Sequence, residues 1–195
     1  MLIDKLLYLI SRSTDTQTVF GAGNISSSTL STTGLLNGKG LFYGTKDSNI
    51  IGVKTFGIEH YWGSSWNRIA GCLYFTSGGY KIKLTYGQSD GSTVDGYNLD
   101  GTGYITTGIT YSGSNGAYAK HSAFNNQCII PNVTGASAST YYCDGSWYAN
   151  DTYLFVGGSC EYGLLCGALC WTLNNTVSES DWSVGSALSC KPLAS

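Results

Sequence analysis

The residues of this 195-residue chain best equipped for chemistry are the adjacent Glu59 and His60, the acids Glu179 and Asp181, a run of Asp-Gly dipeptides and seven cysteines. Glu59 and His60 offer an acid–base pair. They sit inside FGIEHYWGSSWNRIAG, residues 56–71, whose aromatic and aliphatic side chains are too dense for a surface loop. The favoured reading is a carboxylate and an imidazole hydrogen-bonded to backbone beside a buried aromatic cluster. His121 has no companion nearby in the sequence. Glu179 and Asp181 resemble a carboxylate pair of the kind glycosidases use, but two acids this close in a polar loop read as solvated. Asp90-Gly91, Asp95-Gly96 and Asp100-Gly101 do not alternate as calcium ligands must, and read as hairpin turns.

The cysteines are Cys72, Cys128, Cys143, Cys160, Cys166, Cys170 and Cys190. An odd count leaves at least one free or intermolecular, and a chain of this size does not need disulfide staples. Zinc spacing is missing as well. Buried thiols are therefore expected, with one or more disulfides as the alternative. The sequence holds no nucleophile elbow, phosphate-binding loop, dinucleotide fingerprint, zinc-protease helix or EF-hand loop. Neither an enzyme nor a bound metal or cofactor is expected.

Charged residues make up only 11% of the chain, against 27 glycines, 15 tyrosines and 2 prolines, and the net charge is −2. No Lys/Arg cluster appears, so nucleic acid and anionic membranes are not expected partners. The composition favours strands and turns over helices. MLIDKLLYLI at the start has charges inside a short apolar run, and reads as neither a signal peptide nor a bilayer span. Synthesis in a cytoplasm is the expectation, with the sequons at Asn24, Asn132, Asn150 and Asn174 products of composition.

The elements that must position these residues follow from hydrophobic spacing. Ile3, Leu6, Leu7 and Ile10 share a helical face over residues 1–12, too short to stand alone and so expected to pack on the domain or on neighbouring subunits. Residues 13–37 read as an extended arm, and 39–53 as short strands. Cys72 to Tyr86 alternates on both sides of Ser77-Gly78-Gly79 and predicts a hairpin. Short strands and loops continue through 104–140, with a break at Pro131. From Tyr153 to Cys190, Leu169, Trp171 and Leu173 alternate with Ala168, Cys170 and Thr172, which predicts a strand with one buried and one available face. Around that frame Ser159, Glu161, Tyr162, Leu165, Cys170, Thr172, Glu179, Asp181 and Ser183 form a chemically mixed outward set. No single reaction needs such a set, whereas a recognition surface uses Tyr for contact area and Ser, Asp and Asn for adaptable hydrogen bonds.

Two motifs carry a family resemblance over roughly residues 39–190. FGIEHYWGSSWNRIAG resembles the "GL-x-D-M-x-G-N-V-W-E-W" element of the formylglycine-generating-enzyme branch of C-type lectin-like folds, at Phe56, Gly57, Gly63 and Trp66. LFVGGSCEYG resembles the following "V-L-R-G-G-S-W" strand and turn, at Gly157, Gly158 and Ser159. GALCWTLNN and VGSALSC stand where that branch has its core and terminal strands. Copper-dependent oxidase chemistry does not carry over, because Glu161 stands where the first of the paired cysteines would be. The usual calcium lectin loop is missing too, and Asp181-Trp182-Ser183 only echoes its strand.

Within this branch the chain is most similar to variable proteins of diversity-generating retroelements, especially phage receptor-binding proteins whose last few dozen residues are rewritten at template adenines. The resemblance implies an α+β, β-rich fold with long irregular loops. A C-type lectin-like domain (39–195) would follow an N-terminal helix and arm (1–38) used for assembly or attachment. It also implies a variable region at about 145–190, adding Tyr148, Asn150 and Tyr153 to the candidate ligand-binding residues. The expected partners are a host cell-surface protein or glycan and other virion proteins, with a homo-trimer as the expected assembly and the virion as location. A structural virion decoration of the same fold is the alternative, and an oxidase-like relative using cysteine chemistry is a third.

Overall fold

The computed structural model describes residues 16–25, 28–44, 52–83, 101–124, 129–149, 152–176 and 179–185. The expected helix over residues 1–12, the first two Asp-Gly turns with Asp100, most of the terminal VGSALSC, Asn150, Cys128 and Cys190 lie outside them.

The fold is essentially all-β, which corrects the α+β expectation: among the described residues strand accounts for 40% and helix for 6%. One helix, α1 (Thr16–Phe20), and one 3-10 turn (Gly163–Leu165) are the helical elements among them. The reason is compositional: Ser, Thr, Tyr and Gly dominate, and these suit pleated strands and turns better than helices.

The strands are β1 (Lys54–Thr55), β2 (Ile58–Glu59), β3 (Trp66–Phe75), β4 (Gly79–Ile82), β5 (Ile105–Thr106), β6 (Ala117–Phe124), β7 (Ile129–Thr134), β8 (Gly145–Tyr148), β9 (Thr152–Val156), β10 (Trp171–Asn175) and β11 (Val184–Gly185). β1 and β2 pair with each other, and the rest form one sheet in the order β5-β4-β3-β9-β10-β8-β6-β7 with β11 beside β3. That sheet curls into a half-barrel. Two pairings are parallel, β10 with β8 and β11 with β3, so the chain must cross over to make them.

The hairpin read from Cys72–Tyr86 forms as β3 and β4, with Cys72 opposite Ile82 and Phe75 opposite Gly79. The expected break at Pro131 does not occur. Pro131 lies inside β7, and β7 is the last strand in the sheet order, where a residue without an N–H leaves no ladder bond unmade.

The aromatic-dense segment supplies core as expected at Trp62 and Trp66, though Ile58 and Ile69 are exposed. Trp62 anchors a cluster with Val53, Ala119, Tyr142 and Leu169, and its Nε1–H donates to the Gly21 carbonyl at 2.7 Å. A larger cluster gathers Tyr74, Tyr80, Ile130, Leu154, Trp171 and Leu173. Cys170 joins Trp66 and Phe155 in a third. Cys170, just ahead of β10, and Thr172 within it are both buried, which corrects the reading of an outward face bearing them; on that side of the strand Asn174 is exposed.

Segment 16–20 is built into the domain rather than extended from it. Thr16 Oγ1 donates to the Tyr142 carbonyl, and Gln17 is fully buried.

Candidate functional site

β9 ends at Gly157-Gly158, both with positive φ (94° and 75°), a conformation that glycine adopts without strain. Side chains are also excluded there by contact. A Cβ on Gly157 would lie 2.9 Å from the Tyr61 carbonyl oxygen, and one on Gly158 would lie 2.6 Å from Cys166 Sγ. The double glycine therefore lets the chain turn tightly against residues 61–62 and release the loop 159–169. The loop is tied at its root, where Cys160 N–H donates to the Ser64 carbonyl at 3.0 Å.

At the loop's crest is Tyr162. Its ring meets Trp66 at 5.3 Å and 77°, and Trp147 at 5.4 Å and 82°, while the two indoles meet each other at 6.1 Å and 83°. Each pair is edge-to-face, the arrangement aromatic quadrupoles favour. Trp66 is buried and Trp147 half-buried, yet Tyr162 remains 40% exposed, so an aromatic contact surface stands on a fixed base. Trp147 is itself set by two glycines. A Cβ on Gly116 would lie 2.7 Å from its Nε1, and one on Gly145 2.6 Å from its outer ring edge.

A second segment, 179–185, borders this surface and continues into β11. Asp181 Oδ1 accepts from Ser183 N–H (2.8 Å) and Ser183 Oγ–H (2.7 Å), and the Ser183 carbonyl accepts from Trp66 N–H at 2.8 Å. The Ser183 hydroxyl, with its backbone N–H, holds the exposed Asp181 carboxyl below its usual value. Arg68 stacks over Phe155 at 5.2 Å and donates to the Glu179 carbonyl. Arg68, Glu179, Ser180, Asp181, Val184 and Gly185 line an open cleft of about 330 Å³. Trp182, beside it in the chain, is 50% exposed.

The sequence-predicted residues divide by burial. Glu161, Tyr162, Glu179 and Asp181 are exposed and Leu165 is half-buried. Tyr162 is the meeting point: burial foremost pushes its hydroxyl up, and Glu161 and Asp181 are among the neighbours whose charge adds to this. Tyr153, Ser159, Cys170, Thr172 and Ser183 are buried, so they support the surface from beneath instead of facing outward. Thr172 Oγ1 donates to Asn174 Oδ1. Tyr148 belongs elsewhere, half-buried against Tyr111 (4.0 Å) and Tyr74 (5.4 Å).

Residues not anticipated as part of the surface are Trp66, Arg68, Trp147, Leu164 and Trp182. Aromatic density marked Trp66, but only as core. Nothing in the spacing links Trp147 to Tyr162.

The five described cysteines are buried, and none of them is in a disulfide. Burial first, and the Asp144 carboxylate second, push the Cys166 thiol up; Cys170 is pushed up by burial, then by Cys166 and Asp144. Among the described residues no group of three or more His, Cys, Asp or Glu is placed to hold a metal. Glu59 accepts from Gly34 N–H (2.6 Å) and Leu36 N–H (3.1 Å), which fixes the 34–36 turn. His60 Nε2 lies 3.3 Å from the Thr32 carbonyl and 3.8 Å from Glu59. Both side chains are thus engaged with backbone. No described helix is long and apolar enough to cross a membrane.

No family model, curated protein or solved structure matches the chain.

Proposed function

We propose that the chain is a recognition protein of a phage virion, which contacts a host-surface protein or glycan through the face built around Tyr162. One observation carries this reading: an exposed tyrosine held edge-on by two tryptophans, with the exposed Glu161 and Asp181 near enough for their charge to reach its hydroxyl. An aromatic that is already ordered loses little freedom on binding, and aromatic anchors carry a large share of interface energy. The mixed polar rim suits adaptable contacts, and display in many copies on a virion would multiply a modest single-site affinity. On this reading residues 159–183 are the stretch that a retroelement rewrites, with the exposed positions changing the ligand and the buried ones constrained by packing.

The test is binding of the chain, displayed in many copies on beads, to a panel of intact bacterial cells and to a glycan array. Wild type should bind a subset, and the Tyr162→Ala, Asp181→Ala double variant should lose at least about tenfold, an anchor-sized effect. Equal binding by the folded double variant would overturn the assignment of this face. Sequencing the DNA beside the gene tests the diversification: a near-copy of codons 145–190 mismatched at adenines supports it, and its absence removes it.

A further inference from the structure

Gln17 is fully buried in α1, far from the recognition loop in sequence, yet its side-chain amide reaches the carbonyls of Cys143 (2.9 Å), Leu164 (2.7 Å) and Cys166 (2.7 Å). We propose that Gln17 is the positioning residue of the recognition loop, holding from below the turn whose upper side presents Tyr162. The proposal rests on the reading of that loop as the recognition surface.

The physical need lies in the turn itself. In the 3-10 turn Gly163–Leu165, Cys166 N–H donates to the Gly163 carbonyl, which leaves the carbonyls of Leu164 and Cys166 in need of donors from outside the turn. Gln17 supplies them. An amide nitrogen has two hydrogens for these three oxygens, so one hydrogen is shared. The amide orientation is fixed by the same contacts, since the reverse would set its oxygen against three carbonyl oxygens. Gln17 Oε1 has no hydrogen-bond partner among the described residues. The side chain therefore serves as a donor only, and two of its three acceptors are in the loop.

Substitutes of similar length fail for separate reasons. Met fills the space without a donor, and Lys would bury a charge. Asp144 adds a second tie between α1 and the loop, with Oδ2 accepting from Leu169 N–H at 2.8 Å and Oδ1 lying 3.3 Å from Thr16 Oγ1. Because Thr16 and Gln17 are neighbours in α1, whatever shifts this segment shifts the support of the loop. The linkage is reciprocal: a ligand that orders the loop also steadies α1.

The experiment is amide hydrogen exchange on the full chain, comparing wild type with Gln17→Met and Gln17→Glu at matched pH. Exchange at residues 160–167 should rise about tenfold or more in Gln17→Met, while β8, β9 and β10 keep their protection. In Gln17→Glu the loop should follow protonation, because a carboxylic acid donates one hydrogen to the carbonyls and a carboxylate repels them. Its loop protection relative to wild type should therefore fall as pH rises from about 5 to about 8.5, a signature that space-filling alone cannot give. Unchanged loop exchange in Gln17→Met, or an equal rise across loop and strands, would overturn the positioning role. The readout uses no ligand, so its failure stays separate from that of the binding panel.

Discussion

Gly167 lies so close to Asp144 that a Cβ added to it would sit 1.9 Å from Oδ1. The constraint is steric alone, because Gly167 is not among the residues with positive φ. A methyl group there must displace a buried carboxylate that also holds Leu169 N–H. Gly167→Ala should thus lower stability by about 1–3 kcal/mol or more, the range for overpacking a filled core. Urea unfolding would read this as a lower midpoint with an unchanged slope, and an unchanged midpoint would contradict so close an approach.

Leu173 is fully buried in β10 beside Trp171 and Leu154. Leu173→Ala should cost about 2–5 kcal/mol, as deletion from a rigid core does. Thr172→Val, its neighbour on the other face, loses the hydroxyl bonded to Asn174 but keeps the volume, and should cost less. Equal midpoints for the two variants would mean that β10 is not packed as described.

Tyr162 is worth less to the fold than to the surface it crowns. Tyr162→Ala removes its edge-to-face pairings with Trp66 and Trp147 and should reduce stability by about 0.5–1.5 kcal/mol for each, leaving a folded sheet by far-ultraviolet circular dichroism. Loss of the fold would mean that the ring is core.

The thiols of Cys160, Cys166 and Cys170 are raised above their ordinary value of 9.0 chiefly by burial. In the unfolded chain they lose protons near that value, while the folded chain retains them. Above it the unfolded state binds fewer protons than the folded one, so stability falls as pH rises. Below it the full contribution is present. The melting temperature should show no thiol-linked fall up to about pH 8.5 and decline beyond it, less steeply in Cys170→Ala. A curve equally steep in that variant would remove Cys170 from the account.

The same burial predicts chemical silence. Iodoacetamide at about pH 8 should leave Cys166 and Cys170 unlabelled in the native chain and label them after urea, since the thiolate is the reactive form. Mass spectrometry of the digested chain checks this, and native labelling of Cys170 would place it at the surface.

What could be read in advance depended on whether the signal was local. The β3–β4 hairpin was legible because apolar alternation and a Ser-Gly-Gly turn lie within one short stretch. Trp62 and Trp66 were legible as core because aromatic density is rarely tolerated outside it. β10 misled because alternation between Leu, Trp and Leu on one side and Ala, Cys and Thr on the other is an alternation of size, not of polarity. Small side chains pack beneath Trp66 and Phe155 as readily as they face water. Gln17 and Asp144 carried no signal: each is a single polar residue whose partners are set by tertiary closure. The triad of Trp66, Trp147 and Tyr162 was hidden for the same reason.

Gln17 also sets an order of events in the life of the chain. Its partners Cys143 and Cys166 lie 126 and 149 residues downstream, so the helix segment is synthesised long before anything exists for its amide to hold. Strands β3 and β4 can zip as soon as they emerge, because their pairing is local. The loop that presents Tyr162 cannot be fastened until residue 166 has been made and has left the ribosome. A chain cut short ahead of residue 164 keeps the β3–β4 pairing but lacks two of the three carbonyls that the Gln17 amide holds.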